Sequence, residues 1–420
     1  MSSAARQVGS CEVCGNDEVT SVLDLGLHPM CDDLVPIGDS RVSREYPIEI
    51  LFCTRCLTAH QRFQVPKQEL FPATYHYRSR FTSDVLSGMK GLVDSCVQRF
   101  GSLSGKRVLD VGCNDGSLLD FFRDTGAITI GIEPTDAWRD AERKGHVVYG
   151  EFFTEAVADR VATAHGKPDV ITFTNVFAHI EDLPAVLRAL ARVMGPQTVL
   201  VIENHYLGAV LAGNQFDTFY HEHPRTYSFN SFARIANSLG VRMLEAEFPS
   251  RYGGNIRVFL GNEGGKAGEG TLDREALRAR ERRFFDDFAS LRSNVGLWRA
   301  SKKRAIDELV RAHGKLRAKA FPGRAAILVK LLGLGDEAIS AVYEKPGSLK
   351  IGHYLPGTRI PIRSDDELFA LEDQSAPILN LAWHIPSEIR NYLAAHGYTG
   401  PVVDVLSTGD FLTEPRVRDS

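Results

Sequence analysis

Two Cys-x-x-Cys pairs, Cys11-Glu12-Val13-Cys14 and Cys53-Thr54-Arg55-Cys56, constrain this chain more than any other feature. Each pair puts two thiolates on one tight turn. Together they supply four soft ligands, Cys11, Cys14, Cys53 and Cys56, enough for a closed tetrahedral Zn²⁺ site. The run from Cys14 to Cys53 exceeds the common ribbon spacing, so an inserted loop is expected between the knuckles. A redox role is disfavoured, because neither pair opens a helix after a βα strand. Cys31, Cys96 and Cys113 read as small core or turn residues. An odd total of seven cysteines suits a reducing cytoplasm with bound metal better than a disulfide scaffold.

At 420 residues the chain should hold two or three domains. Its apolar content of 43% and charged content of 24% are those of a globular protein. A formal net charge of -4 offers no basic footprint for nucleic acid. The sequence contains no apolar run long enough to cross a bilayer, and Met1 to Ser10 lacks the charge pattern of a signal peptide. A cytoplasmic protein is expected, a monomer or small homo-oligomer, with a small-molecule substrate and neither nucleic acid nor membrane as partner.

The expected organisation is α/β, with a zinc-binding module over residues 1–70, a central domain over 71–270, and a helical linker with a smaller α/β domain over 271–420. A polar helix is predicted from Phe81 to Phe100. Beyond Lys106, Arg107–Val111, Ile128–Ile132, Val170–Thr174 and Val199–Glu203 read as strands. Leu118–Arg123, Leu183–Val193 and Phe232–Leu239 read as helices. Such alternation implies a mostly parallel, doubly wound, Rossmann-like sheet. A glycine turn and a late strand follow at Tyr252–Phe259. Leu272 to Lys319 has the composition and spacing of one or two long helices. In the last domain Ala325–Val329, Ala341–Tyr343, Ile378–Leu381 and Val402–Val405 read as strands, and Ile385–His396 as a helix.

Three constellations carry chemistry. The first is Asp110-x-Gly112-x-x-x-Gly116, a strand entering a Gly-rich turn, which matches the first motif of S-adenosylmethionine (SAM) dependent methyltransferases. Glycine there lets the backbone turn sharply and approach a ligand. Glu133 ends the next strand, where a carboxylate can take both ribose hydroxyls. The second is Asn175 to His179, just beyond a predicted strand, where ligands of open α/β sheets bind. The third, Asp217-Thr218-Phe219-Tyr220-His221-Glu222-His223, is the densest run of proton-handling groups. If extended, it would point Tyr220 and Glu222 one way and the two histidines the other; an irregular loop breaks that parity.

Together these residues resemble the sugar C-methyltransferases that place a branch methyl on nucleotide-linked 4-keto deoxysugars, in particular those of the tetronitrose type that methylate C3. The resemblance covers nearly the whole chain. It rests on the two knuckles, Asn114-Asp115-Gly116, Asn175–His179, Asp217–His223, Gly253-Gly254-Asn255-Ile256-Arg257 and Tyr354-Leu355-Pro356-Gly357-Thr358. It implies SAM held by Asp110, Gly112, Asn114, Gly116, Glu133 and Asn175, and a zinc ion that is structural. It further implies His223 as general base, with Tyr220, Glu222 and His179 lining the same pocket and Tyr220 or His179 donating to an enolate oxygen. One departure is the Gly-Ala-x-x-Lys-Gly-like loop that opens the family's third domain. Here the stretch reads Phe321-Pro322-Gly323-Arg324-Ala325-Ala326, and Arg324 is the candidate replacement for the lost charge. Trp383-His384 also stands where the pattern often has Trp-Asn. Two other readings stay open from sequence: an O- or N-methyltransferase of another metabolite, and a zinc-dependent interaction protein with a vestigial methyltransferase domain.

Overall fold

The computed structural model describes residues 5–71, 78–262 and 273–411. The chain divides into two compact units. The first gathers residues 1–21, 51–210 and 222–285; the second gathers 22–50, 211–221 and 286–420. Among the described residues no helix is long and apolar enough to cross a membrane.

In the first unit, strand β1 (Thr58–Gln61) leaves the second knuckle, and helix α1 (Ser83–Phe100) precedes the main sheet. α1 buries Val85, Met89, Leu92, Val93 and Cys96 along one stripe and stops at Gly101, whose φ of 75° ends the helix. The sheet follows as β2 (Arg107–Val111), β3 (Ile128–Ile132), β4 (Val147–Tyr149), β5 (Val170–Thr174) and β6 (Val199–His205). After the short β7 (Arg225–Thr226) come β8 (Arg242–Glu247) and β9 (Asn255–Gly261). The order across the sheet is β8-β9-β6-β5-β2-β3-β4. β2 to β6 run parallel to one another, while β9 runs antiparallel to both β6 and β8. Parallel strands covered on both faces need apolar side chains on both. β2, β3, β5 and β6 accordingly read as nearly unbroken apolar runs.

Side chains fix where the crossover helices begin. Asp182 accepts from the Ala185 amide at 2.9 Å, ahead of α2 (Leu183–Val193). Ser228 and Ser231 exchange side-chain and backbone hydrogen bonds in a capping box at the start of α3 (Phe229–Ser238). The buried carboxylate of Glu281, which ends α4 (Arg274–Glu281), accepts from the amides of Phe229 and Asn230 at 2.7 and 3.0 Å and from the Tyr206 hydroxyl at 2.9 Å. An anion among the free amides of a helix start is favoured by both hydrogen bonding and the helix dipole.

Helix α5 (Phe284–His313) continues into the second unit. There a five-stranded, all-parallel sheet has the order Ile362–Ser364, Ile339–Glu344, Leu316–Lys319, Ile378–Asn380, Val402–Asp404. Trp298 is wholly buried beside Phe216 and donates to the Val405 carbonyl at 3.1 Å. Lys319 and Asp365 form a buried pair at 2.9 Å, completed by the Tyr392 hydroxyl at 2.9 Å. The Tyr354–Thr358 motif packs on residues 29–43 of the same unit. Strand His353–Tyr354 pairs with Val35–Pro36, and a Cβ on Gly357 would meet Pro29 at 2.8 Å. The long excursion between the knuckles thus belongs largely to the second unit.

One expectation is corrected here. Ala325–Val329 is not a strand; Ala325–Leu331 is a helix, and the strand lies earlier, at Leu316–Lys319, where helix was expected. The segment is buried all round, so it shows no amphipathic period, and a short apolar run of this kind reads equally well as strand. Gly314, at φ 74°, ends α5 and frees the strand that follows.

Ala320, just after that strand, adopts φ 61°, the left-handed region that favours glycine. Ala320→Gly should therefore stabilise the protein by about 0.5–1 kcal/mol after the entropy cost of glycine, measured by denaturant unfolding.

Candidate active site and metal centre

The two knuckles converge. The four Sγ atoms of Cys11, Cys14, Cys53 and Cys56 lie within 4.8 Å of one another, with Cys11–Cys56 at 3.3 Å and Cys14–Cys53 at 3.7 Å. Four thiolates about 2.3 Å from a tetrahedral zinc stand about 3.8 Å apart, whereas a disulfide needs about 2 Å. The donor set fits zinc. Four protein thiolates fill a tetrahedral shell, so the ion is structural.

At the carboxyl edge of the main sheet, Gly112 and Gly116 both have φ 76°, and Asn114 between them has φ 50°. A Cβ on Gly112 would lie 2.5 Å from Val176, and one on Gly116 would lie 2.8 Å from Ala141. Glycine is thus required twice over. Asp110 is buried and accepts from the Thr172 hydroxyl at 2.7 Å; burial outweighs that bond and pushes its pKa up to about 7. Glu133 reaches back to this turn, accepting from the Asn114 amide at 3.0 Å and from the Thr135 amide and hydroxyl at 2.9 and 2.6 Å. Burial raises its pKa against these three bonds. The Asn114 side chain accepts from the Ser79 amide at 3.0 Å, which ties the segment before α1 to the turn.

At the carboxyl ends of β5 and β6, four buried polar atoms have no hydrogen-bond partner among the described residues: Thr174 Oγ1, Asn175 Oδ1, and both amide atoms of Asn204. Buried polar groups are normally paired. These four lie at the carboxyl ends of parallel strands, the side on which such sheets bind ligands. A ligand rich in hydroxyl, amine and carboxylate groups would satisfy them, as SAM is.

The histidines gather on the same edge. The ring of His223 lies 4.9 Å from that of His179 and 5.5 Å from that of His205. His179 Nδ1 is 2.7 Å from the Glu222 carbonyl, so Nδ1 carries the proton and donates. Loss of solvation pushes the His179 pKa down to about 4, against two backbone bonds that favour the proton. The neutral ring therefore presents a lone pair at Nε2 and has no second hydrogen to give. His205 was not singled out in the sequence. It is the last residue of β6, which runs two residues beyond the predicted Val199–Glu203, and a longer strand would have flagged it.

The third constellation is an irregular segment, so alternation does not govern it. Residues 217–221 belong to the second unit, and Glu222 and His223 to the first. His221 is buried with Nε2 3.1 Å from the Tyr46 carbonyl, apart from the other histidines in its role. Asp217 is wholly buried; it accepts from Trp383 Nε1 at 2.8 Å and pairs with Arg324 Nε at 3.3 Å. Arg324 also donates to the Thr218 hydroxyl at 3.2 Å and lies 5.1 Å over the Trp383 ring. Arg324 is therefore neither a solvated loop residue nor an isolated cation.

A Gly-rich turn closed by a buried carboxylate, on a parallel sheet extended by the antiparallel strand β9, defines a SAM-dependent methyltransferase. Family comparisons match "Putative zinc binding domain" to residues 11–71, "Methyltransferase domain" to 85–246 and "C-methyltransferase C-terminal domain" to 250–401. The chain is 30% identical over 408 residues to the C-methyltransferase NovU of Streptomyces niveus, covering 93% of each chain. It is 34% identical over 104 residues to a ubiquinone biosynthesis O-methyltransferase of Escherichia coli, spanning 24% of this chain and 42% of that protein. Among solved structures it is similar to magnesium protoporphyrin IX methyltransferase (ChlM) from Synechocystis PCC 6803 with bound SAM. That match has 15% identity and a TM-score of 0.31, over 42% of this chain and 78% of the other. The chain belongs to the C-methyltransferase family typified by its full-length relative, with a zinc module, a methyltransferase domain and a family-specific C-terminal domain.

Metal analysis of the untagged protein should find one zinc per chain. A Cys53→Ser/Cys56→Ser variant should lose it.

Proposed function

We propose that this enzyme methylates the carbon next to the ketone of a nucleotide-linked keto deoxysugar, with His223 as the general base. The observation that carries the reading is the clustering of the His179, His205 and His223 rings, with centroids 4.9 and 5.5 Å from that of His223, at the ligand-binding edge of the sheet. A C–H beside a ketone is acidic because the electron pair left behind delocalises onto the carbonyl oxygen. A neutral imidazole near its own pKa can take that proton at neutral pH. SAM, when bound, offers an electrophilic methyl group to such a carbon.

In this reading Asp110, Gly112, Asn114, Gly116, Glu133 and Asn175 hold SAM, with the Glu133 carboxylate on its ribose. His179, neutral and donating through Nδ1 to the Glu222 carbonyl, holds the Glu222–His223 backbone in place. Because that ring has no proton left to donate, the hydroxyl of Tyr220 is the better donor to the enolate oxygen. The Glu222 carboxylate lines the sugar pocket. Cytoplasmic reduction keeps the cysteines as thiols, as zinc binding needs. The shared spatial role of the catalytic groups is to hold acceptor and methyl donor in line.

Two outcomes are expected. His223→Asn should lower turnover by about 10²–10⁴ with SAM affinity kept, followed by product NMR, which should reveal a new branch methyl carbon. A product methylated on oxygen or nitrogen would refute the C-methylation assignment. Glu133→Ala should weaken SAM binding by about 1.5–3 kcal/mol for each charge-assisted bond lost, measured by calorimetry. Unchanged affinity would remove Glu133 from the site.

A further inference from the structure

The residue that follows Cys11 is paired with a side chain that holds the backbone next to the histidines. Glu12 sits inside the first knuckle. Its carboxylate forms an ion pair with Arg225, a side chain with no exposure at all, and accepts from Gln64 Nε2 at 2.9 Å. Arg225 is two residues beyond His223. Its guanidinium donates to the Ile180 carbonyl, directly after His179, to the Glu181 carbonyl at 3.3 Å, and through Nε to the Tyr227 hydroxyl at 3.1 Å. One buried cation therefore touches the knuckle, the backbone after His179 and, through its own chain, the backbone after His223.

The second knuckle grips the same segment. β7 pairs antiparallel with β1, with Arg225 opposite His60, and the Gln61 amide donates to the Pro224 carbonyl at 2.9 Å. Thr58 Oγ1 lies 3.0 Å from Cys56 Sγ and 2.8 Å from Ser231 Oγ. Ser228 and Ser231 both donate to the Cys56 carbonyl at 3.4 Å. The run from Pro224 to Ser231 is thus laid against the metal module at several points, and His223 is the residue at its head.

We infer that Glu12 and Arg225 are positioning residues that carry the geometry of the Cys11–Cys14 knuckle to the His179–His223 pair. The structural zinc then serves the reaction at a distance, by fixing where Glu12 stands. A buried guanidinium needs its counter-charge, and without it the side chain must move or admit water. Either response displaces the carbonyl of Ile180 and the strand after His223. The inference rests on the reading of these histidines as the proton-handling pair.

The test uses the full chain with ¹³C-labelled histidine, Cε1–H resonances assigned through His179→Asn and His223→Asn, and zinc measured in every sample. Glu12→Gln should keep one zinc per chain and shift the His179 and His223 resonances; His60, whose Nδ1 lies 3.9 Å from the Glu12 carboxylate, and His205, packed on His223, move with them, while histidines remote from both, such as His313 and His396, hold their positions. Glu12→Asp restores the charge and should move both resonances part of the way back. Zinc retained with both resonances unmoved would overturn the inference, even if the melting temperature fell, because a purely structural Glu12 does only that. Loss of zinc from both variants would also overturn it, since the carboxylate would then serve the metal knuckle itself. The resonances are read with no acceptor present. Full turnover by His223→Asn would therefore unseat the catalytic reading alone and leave the coupling to be judged by the spectra.

Discussion

The carboxylate of Glu203 is wholly buried near the end of β6, and the edge of the sheet that binds ligands depends on its compensation. Arg257 meets it at 2.7 Å, Arg251 at 3.1 Å and Asn255 Nδ2 at 3.1 Å. A buried ion pair is costly to break, about 3–5 kcal/mol when one partner is removed. The Gly253–Arg257 motif is explained by this demand, since two of its members face one carboxylate. Glycine makes the approach possible. A Cβ on Gly254 would lie 2.4 Å from Ala209, and one on Gly88 in α1 would lie 1.7 Å from the Arg251 guanidinium. The backbone carbonyl of Glu203 accepts from the Asn175 amide at 2.8 Å, so the turn after β5 is set by the same residue. Asn204 and His205 follow directly.

From that edge the arrangement of the site follows in layers. Parallel strands leave their carboxyl ends free of hairpins, so turns of unusual backbone can gather there. Asn114 at φ 50° and Asn175 at φ 55° are two such turns. The histidine rings close over the same edge, and the zinc module holds the segment that brings His223 there. Two ordered devices, a buried ion-pair network and a metal knuckle, thus act on a few loop residues that have little regular structure of their own.

Local patterns made much of this legible. Strands β2, β3 and β5 stand out as short apolar runs punctuated by glycine, and the turn at Gly112–Gly116 follows from its spacing. The helix at Ala325–Leu331 carries no helical signature in sequence, because burial on every side erases the period that distinguishes helix from strand. His205 escaped because strand ends are the least certain part of a sequence reading. The engagement of Arg324 with Asp217 was equally invisible, since the two are remote in sequence and either could have been solvated.

What the sequence by itself determined was the inventory: four thiolates in two knuckles, glycines where the backbone must turn, a carboxylate after the second strand of the sheet, and a dense run of proton-handling groups. Those follow from local chemistry, because ligand spacing, φ preference and apolar period act over a few residues. Only the tertiary structure decided which groups meet. It paired His179 with His223 and added His205, took the tautomer of His179 from a carbonyl 43 positions away, and joined Glu12 to Arg225. Such contacts depend on how distant segments pack, and a buried charge or ring nitrogen acquires its protonation state from neighbours that no local pattern names.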